Sequence, residues 1–189
     1  MRLTKPRIQP LSEEDFTDEQ TEVVAPILEG HGVVYNVIKT MMHNMPLFNS
    51  FNVLGRHIMS DSSLTPRLRE ILIMRVGWNT ECEYQWGQHV RMSAPAGLTA
   101  EDHERIKEGG AAQGWTELES ALLNAVDELL ADTMIGDNTW TVLARHLNTE
   151  QITDAIFTIG HYNMVAMALN SCGVQREPGV AGFDGTPAV

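Results

Sequence analysis

A predicted helical hairpin in the middle of the chain constrains the fold more than any other feature. Thr65 followed by Pro66 is typical of a helix start, because threonine caps free amides and proline fits the first turn. Residues 80–83, Thr-Glu-Cys-Glu, fit a capping box, which predicts a second helix from residue 81. Pro95 should end that helix, because the residue before a proline avoids the helical region. The sequence therefore predicts helices over 66–78 and 81–94.

The two helices should hold a carboxylate and an imidazole at the same level. Glu70 and His89 each lie nine residues from the bend at 79–80, which is roughly 13 Å along an α-helix. The helix that carries Glu70 is largely apolar, so an ionised carboxylate there needs a partner, and His89 is the nearest candidate. Two interpretations remain open, a proton-transfer pair and a buried structural ion pair.

The remaining sequence predicts an all-α, single-domain helical bundle with about eight or nine helices. Its 189 residues are 43% hydrophobic, enough for one core, and no run of alternating β-branched residues bounded by hairpin turns is present. We expect an N-terminal arm over 1–16, a helical domain over 17–175 and an extended, Gly- and Pro-rich tail over 176–189. Besides the hairpin, the predicted helices span 17–29, 33–44, 46–60, 99–108, 116–130, 139–147 and 150–171.

Charge and composition exclude several classes of partner. The net charge of −12 with only 13 Lys and Arg argues against nucleic acid, and no basic run suggests an anionic membrane. No signal peptide and no apolar run of about 18 residues is visible. Two cysteines, Cys82 and Cys172, provide no disulfide framework. We expect a cytoplasmic protein that acts on a small molecule.

The second helix of the hairpin carries a stripe of reactive side chains. Cys82, Trp86 and His89 share one face, with Gln85 beside them. The first turn of a helix favours a thiolate at Cys82, although acidic neighbours oppose it. Cys82 and His89 lie roughly 10 Å apart along the axis, too far for a direct dyad. Cys82 could equally be a small buried residue.

Residues 81–90, Glu-Cys-Glu-Tyr-Gln-Trp-Gly-Gln-His-Val, resemble the carboxymuconolactone decarboxylase family, which shares a superfamily with the alkyl hydroperoxidase D proteins. Ala-Gly-Leu-Thr at 96–99, Gly-His-Tyr-Asn-Met at 160–164 and Leu-Asn at 169–170 extend the similarity, which spans most of 35–175. The resemblance implies an all-helical bundle that assembles as trimers or hexamers.

The chain departs from the hydroperoxidase branch of that superfamily. Those relatives use a Cys-x-x-Cys pair fed by a Glu–His relay, which Glu70 and His89 match. Cys82 matches the first cysteine, but Gln85 occupies the second position and Tyr84 replaces the intervening histidine. Without a neighbouring thiol the local disulfide cannot close, unless the fold brings Cys172 close. The missing thiol therefore argues against peroxide-linked disulfide reduction. An antioxidant thiol enzyme using Cys82 is the alternative function.

The decarboxylase branch implies a reaction without metal or organic cofactor. Its members remove CO2 from a carboxylated muconolactone in the catabolism of aromatic compounds. The resemblance assigns the acid–base role to His89, oriented by Glu70, with help from Cys82. We predict a lyase that performs decarboxylation or a related proton transfer on a small carboxylated lactone or ring. A non-catalytic helical oligomer, in which the pair only braces the hairpin, is a further alternative.

Substrate-binding residues are predicted around this pair. Tyr84, Gln85 and Trp86 lie beside His89 in sequence, and His161 could line the pocket from the last helix or be a core histidine. An arginine would hold the substrate carboxylate with its bidentate fork. The sequence does not choose among Arg56, Arg75 and Arg91, of which Arg91 is taken as the candidate. No ligand spacing matches a known zinc signature, so no metal is predicted.

Overall fold

The computed structural model describes residues 3–189, with the backbone alone at residue 31. Residues 1 and 2 of the predicted arm lie outside this range. The described residues form an all-α fold without strands, as predicted. Its nine α-helices are α1 (Asp18–His31), α2 (Asn36–Met41), α3 (Met45–Arg56), α4 (Pro66–Asn79), α5 (Glu83–Ser93), α6 (Ala100–Glu108), α7 (Glu117–Asp132), α8 (Asp137–His146) and α9 (Thr149–Cys172). None of them is long and apolar enough to span a membrane.

Side-chain caps determine where several helices begin. Capping boxes begin three helices, at Thr17, Thr99 and Thr116. In each box the threonine hydroxyl accepts a hydrogen bond from the backbone amide three residues later, and the threonine backbone amide donates to the side chain of that same residue. These three starts were predicted from the sequence. Asn148 forms a fourth box at the start of α9.

Several helix boundaries differ from the prediction. The helix predicted over 46–60 ends as an α-helix at residue 56, because residues 57–61 form a π-helical turn. The capping box at residues 80–83 is wrong, because the Thr80 hydroxyl instead donates to the Val76 carbonyl at 2.7 Å. Glu81 then adopts a left-handed conformation, with φ of 48°, and α5 begins only at residue 83. Cys82 is therefore the N-cap residue of α5 rather than part of its first turn. The helix predicted over 33–44 is limited to α2, because Asn44 caps the next helix.

Helix α4 is the centre of the fold and packs against α5, α7 and α9. Eight of its residues, from position 70 to position 77, are buried. One apolar cluster fills the space among α4, α7, α8 and α9, and a second lies among α4, α5, α6 and α7. This packing fixes α4 rigidly, so that a side chain on it has a defined position relative to α5 and α9.

The tail after residue 175 folds back onto the domain instead of extending away from it. Gly87 of α5 permits the contact, since a Cβ at this position would lie 2.3 Å from the carbonyl oxygen of Ala181. Val180 is buried, and Arg176 donates to the Val180 carbonyl. The tail therefore contributes to the packing around α5.

Replacing Gly87 with alanine should lower the free energy of unfolding by about 1–3 kcal/mol, because the new methyl group would overlap a backbone oxygen. Gly160→Ala is the matched control. A Cβ there meets nothing within 4 Å, so the better helix propensity of alanine should leave stability equal or higher. Urea denaturation of both variants measures the difference, and equal stabilities would contradict the tail contact.

Candidate active site

The centre of the site is a hydrogen-bonded pair between α4 and α5. Nδ1 of His89 lies 2.7 Å from Oε2 of Glu70. Glu70 is fully buried and His89 is 5% exposed. Gly77 helps the two helices approach, since a Cβ there would already contact the Trp86 amide nitrogen at 3.4 Å. The predicted face-to-face placement of the two groups is confirmed.

The electrostatic environment keeps Glu70 ionised. Burial raises the pKa of this carboxyl group. The charge and hydrogen bond of His89 and the nearby Arg69 guanidinium together lower it by more than burial raises it, so the pKa lies below its ordinary value. Nε of Arg69 lies 3.4 Å from Oε1 of Glu70. An ionised Glu70 can only accept a hydrogen bond, which assigns the proton of the His89 ring to Nδ1. Nε2 is then the ring nitrogen available for proton exchange.

His89 lines a cavity of about 610 Å³ between the hairpin, α1, α2, α3 and α9. Tyr84, Gln85, Gln88 and Met92 contribute to the wall from α5, and His161 and Tyr162 from α9. Most of the remaining lining is apolar and includes Val23, Pro26, Ile27, Val37, Ile38, Phe51, Met59, Val165 and Leu169. This size suits a small ring compound.

Tyr162 of α9 packs against the imidazole of His89, and His161 lies beside Tyr162. The ring of Tyr162 meets the imidazole of His89 edge-on, with centroids 5.0 Å apart, and its hydroxyl lies 3.1 Å from Sδ of Met59. Burial raises the pKa of Tyr162. His161 stacks on Phe51 at 4.7 Å, and burial lowers its pKa to about 4, so it is neutral at pH 7.

A carboxylate from the tail binds two residues of the cavity wall. Oε1 of Glu177 accepts hydrogen bonds from the Tyr84 hydroxyl and from the Asn36 amide, each at 2.7 Å. Its Oε2 atom accepts a hydrogen bond from Nε2 of Gln88. Burial, together with the adjacent carboxylate, raises the pKa of Tyr84. Tyr84 is therefore a neutral donor held in place by the tail.

The structure brings together only part of the predicted site. Tyr84, Gln85 and His161 line the cavity with His89. Cys82 is not among the lining residues; it is fully buried in an apolar cluster against which Cys172 also packs. The side chain of Trp86 lies in a different cluster, with Trp78 and Phe183 beside it, because it projects from another face of α5.

The three arginines predicted as candidates for binding the substrate carboxylate lie in different environments. Arg91 is exposed on α5 and does not line the cavity. Arg75 is buried and binds both carboxylate oxygens of Asp127, and its Nη1 donates to the carbonyls of Ile106 and Lys107. Arg56 is the arginine among the described lining residues, and its side chain is 80% exposed at the rim.

Sequence reasoning missed Glu177, Gln88 and Tyr162. Tyr162 follows His161 within the string that carried the resemblance, so its position was a usable signal. Gln88 lies next to His89 and could have been included on the same ground. Glu177 had no signal, because only the fold brings the tail to α5.

The buried His161 should make stability depend on pH. Its pKa is about 4 in the folded protein and near the ordinary histidine value of 6.5 in the unfolded chain, so the unfolded chain binds the proton more readily. Stability is then fully present above pH 6.5 and falls by about 3 kcal/mol as the pH drops through 4. His161→Phe should remove this part of the pH dependence between pH 6.5 and 4.5 in urea denaturation. An equal loss in the wild type and the variant would contradict the assignment.

Among the side chains that the structure describes, which exclude that of residue 31, no group of three or more His, Cys, Asp or Glu has the arrangement of a metal site. An ionised carboxylate that orients an imidazole next to an apolar cavity is suited to proton transfer, because histidine is the side chain that most often transfers protons in enzymes.

Known proteins resemble this chain in sequence over its centre and in fold over most of its length. Residues 46–128 match the model of the carboxymuconolactone decarboxylase family. A search of curated protein sequences gives no match. A peroxidase-related protein from Silicibacter sp. is 20% identical, with a TM-score of 0.80 over 96% of this chain and 99% of its own. The alkylhydroperoxidase AhpD core protein from Ralstonia eutropha is 15% identical, with a TM-score of 0.81 over 91% and 92%.

A third similar structure is the debrominase Bmp8 in complex with 2,3,4-tribromopyrrole. It is 17% identical, with a TM-score of 0.76 over 92% of this chain and 93% of its own. At these identities the structural matches show a common fold. The family match is the more specific result, because it includes both residues of the acid–base pair. Residues 46–128 match the model of the carboxymuconolactone decarboxylase family, within a chain that has the alkylhydroperoxidase D-like helical fold.

Proposed function

We propose that the protein is a carboxy-lyase that decarboxylates a small carboxylated lactone or ring by proton transfer, without a cofactor. The Glu70–His89 pair at 2.7 Å, placed in the wall of an apolar cavity, is the observation that carries this proposal. The family match of residues 46–128 supports the same reaction class. Catabolism of aromatic compounds is the context that the family name suggests.

In the proposed reaction, His89 is the acid that protonates carbon. The bond between the ring carbon and the carboxylate breaks, CO2 leaves, and the electron pair moves into the ring and its conjugated carbonyl. The imidazolium of His89 then delivers its Nε2 proton to that carbon and regains a proton from water. The ionised Glu70 stabilises the imidazolium and fixes the ring orientation.

The electrostatics of the cavity indicate where the substrate carboxylate binds. The buried, ionised Glu70 disfavours a second anion in the interior, whereas the exposed Arg56, whose Nε atom lies 3.9 Å from Oδ2 of Asp61, offers a cation at the rim. A carboxylate at Arg56 would leave the ring in the apolar interior and would escape as CO2 toward solvent. This assignment replaces the initial candidate Arg91.

The direct test is turnover of 4-carboxymuconolactone by the purified protein, followed by ultraviolet absorbance and mass spectrometry. We expect loss of CO2 and formation of the enol-lactone. Cys82→Ser should keep at least half of the wild-type kcat/KM, because Cys82 does not line the cavity. No turnover of carboxylated lactones or rings would count against the proposal.

A thiol-dependent activity is the second candidate, because the cysteines share one apolar cluster. Cys172 packs against the cluster that contains Cys82, and no disulfide joins the two residues. In a peroxidase, Cys82 would reduce the peroxide to an alcohol and become a sulfenic acid, which Cys172 would convert to a disulfide with release of water. Rapid alkylation of Cys82 at pH 7 and peroxide consumption that Cys82→Ser abolishes would favour this function. Slow alkylation without peroxide consumption would remove it.

We also propose that the protein is a homo-oligomer. Phe157, Met164 and Met167 form an exposed apolar stripe on α9, and Val53 is exposed on α3. Exposed apolar surface of this kind marks interaction sites. Light scattering after size exclusion should give a multiple of 21.0 kDa, with a trimer or hexamer expected. Met164→Lys combined with Met167→Lys should shift the mass toward the monomer, and a monomeric wild type would contradict the proposal.

A further inference from the structure

Two buried polar atoms in residues of the cavity wall have no hydrogen-bond partner among the described residues. They are Oε1 of Gln85 and Nδ1 of His161. Gln85 is 2% exposed and His161 is 5% exposed, so bulk water does not reach them freely. An unsatisfied polar group in such a position costs about 1–3 kcal/mol. Both residues line the cavity that His89 lines, so a bound molecule could supply the missing partners.

The orientation of the Gln85 amide determines which kind of partner it accepts. Its Nε2 atom donates to the Ile73 carbonyl at 3.0 Å. A carbonyl oxygen can only accept, so the amide nitrogen must point toward Ile73 and cannot be exchanged with the oxygen. Oε1 is consequently an acceptor without a donor. The group that satisfies it must carry an O–H or an N–H.

Gln85 also lies at a suitable distance from the reacting centre. It precedes His89 by four residues on α5, so the two side chains project from the same face about 6 Å apart along the axis. That separation is comparable to the width of one ring with a polar substituent. A ring whose reacting carbon lies at Nε2 of His89 therefore places a substituent or a ring N–H near Oε1 of Gln85.

We propose that the substrate is a small ring that carries an O–H or N–H donor, and that Gln85 selects it by accepting that hydrogen bond. The inference rests on the proposed function for the position of the reacting carbon. A ring without a donor would fill the apolar part of the cavity but would leave Oε1 of Gln85 unsatisfied. His161 provides a second neutral polar group for a further substituent.

Binding of simple ring acids tests this specificity without turnover. Isothermal titration with benzoate, the three hydroxybenzoates and the three methoxybenzoates compares rings that differ only in the donor. The best hydroxybenzoate should bind the wild type about 5- to 10-fold more tightly than benzoate, as expected for one hydrogen bond to a buried acceptor. Its methoxy counterpart, which has no donor, should lose this advantage.

Gln85→Met removes the acceptor at similar volume and should reduce the preference for the hydroxybenzoate to about 1-fold. Gln113→Met is the matched control, because Gln113 is exposed and does not line the cavity, and it should retain the preference. Circular dichroism checks that both variants are folded. Equal binding of benzoate and all hydroxybenzoates by the wild type, as when a trapped water already satisfies Oε1, would overturn the inference. An unchanged preference in a folded Gln85→Met variant would do the same.

The two proposals fail in different ways. A donor preference that depends on Gln85, without turnover of any carboxylated ring, would remove the decarboxylase proposal and keep the binding site. Turnover that depends on His89, without a donor preference, would keep the reaction and remove the role of Gln85.

Discussion

Replacing His89 with glutamine should lower kcat/KM for a carboxylated lactone by about 10²- to 10⁴-fold, the usual contribution of a positioned acid or base. Glutamine cannot supply an acidic proton to carbon, so the protonation step loses its donor. Its amide can still donate to the ionised Glu70, so the buried carboxylate is not left without a partner. Steady-state kinetics at saturating and limiting substrate measure the effect on kcat and KM separately.

A second histidine provides the control for this variant. His103 lies outside the cavity, where its Nε2 atom and the Ser93 hydroxyl are 2.8 Å apart. His103→Gln should leave kcat/KM within about twofold of the wild-type value, since the altered side chain lies outside the cavity. If a folded His89→Gln variant kept full turnover and only its melting temperature changed, the pair would merely brace the hairpin. The non-catalytic interpretation would then be the correct one.

Replacing Arg75 with methionine should lower the free energy of unfolding by about 2 kcal/mol, below the range for a fully buried ion pair because the Asp127 side chain is 37% exposed. The change removes the bidentate contact with Asp127 and leaves the carbonyls of Ile106 and Lys107 at the end of α6 without that donor. Activity per folded molecule should not change, because Arg75 does not line the cavity. Urea denaturation at pH 7 gives the stability.

Arg91→Met is the matched control for charge and side-chain length. Arg91 is exposed on α5, so its replacement should change the stability by no more than about 0.5 kcal/mol. A large loss of kcat/KM in Arg75→Met at full stability would restore Arg75 as a substrate-binding residue. A loss confined to Arg56→Met would support the rim assignment.

Local sequence patterns were sufficient to predict the pair at the centre of the site. A proline-bounded hairpin with equal arms leaves little freedom in register, so Glu70 and His89 meet in the structure as expected. The predicted start of α5 was wrong, because the Thr80 hydroxyl donates a hydrogen bond to a carbonyl of the preceding helix instead of accepting one from an amide of the next helix. Threonine can do either, and only the path of the chain decides between them.

Long-range contacts account for what the sequence could not provide. Arg75 is one of three arginines with the same local appearance, and its role depends on Asp127 and on carbonyls more than 30 residues away. The same is true of Glu177, which reaches Tyr84 across 93 positions. Burial of Cys82 likewise depends on residues of α9.

The tail contact through Glu177 implies that different parts of the chain hold the reacting pair and shape the cavity. The span that matches the family model ends at residue 128, whereas α1, α9 and the carboxylate that anchors Tyr84 and Gln88 lie beyond its limits. Homologues could keep the proton-transfer pair while the flanking segments change, and so bind new substrates without altering the residues that transfer the proton. Selectivity in such a lineage should vary most in its termini and least in its middle.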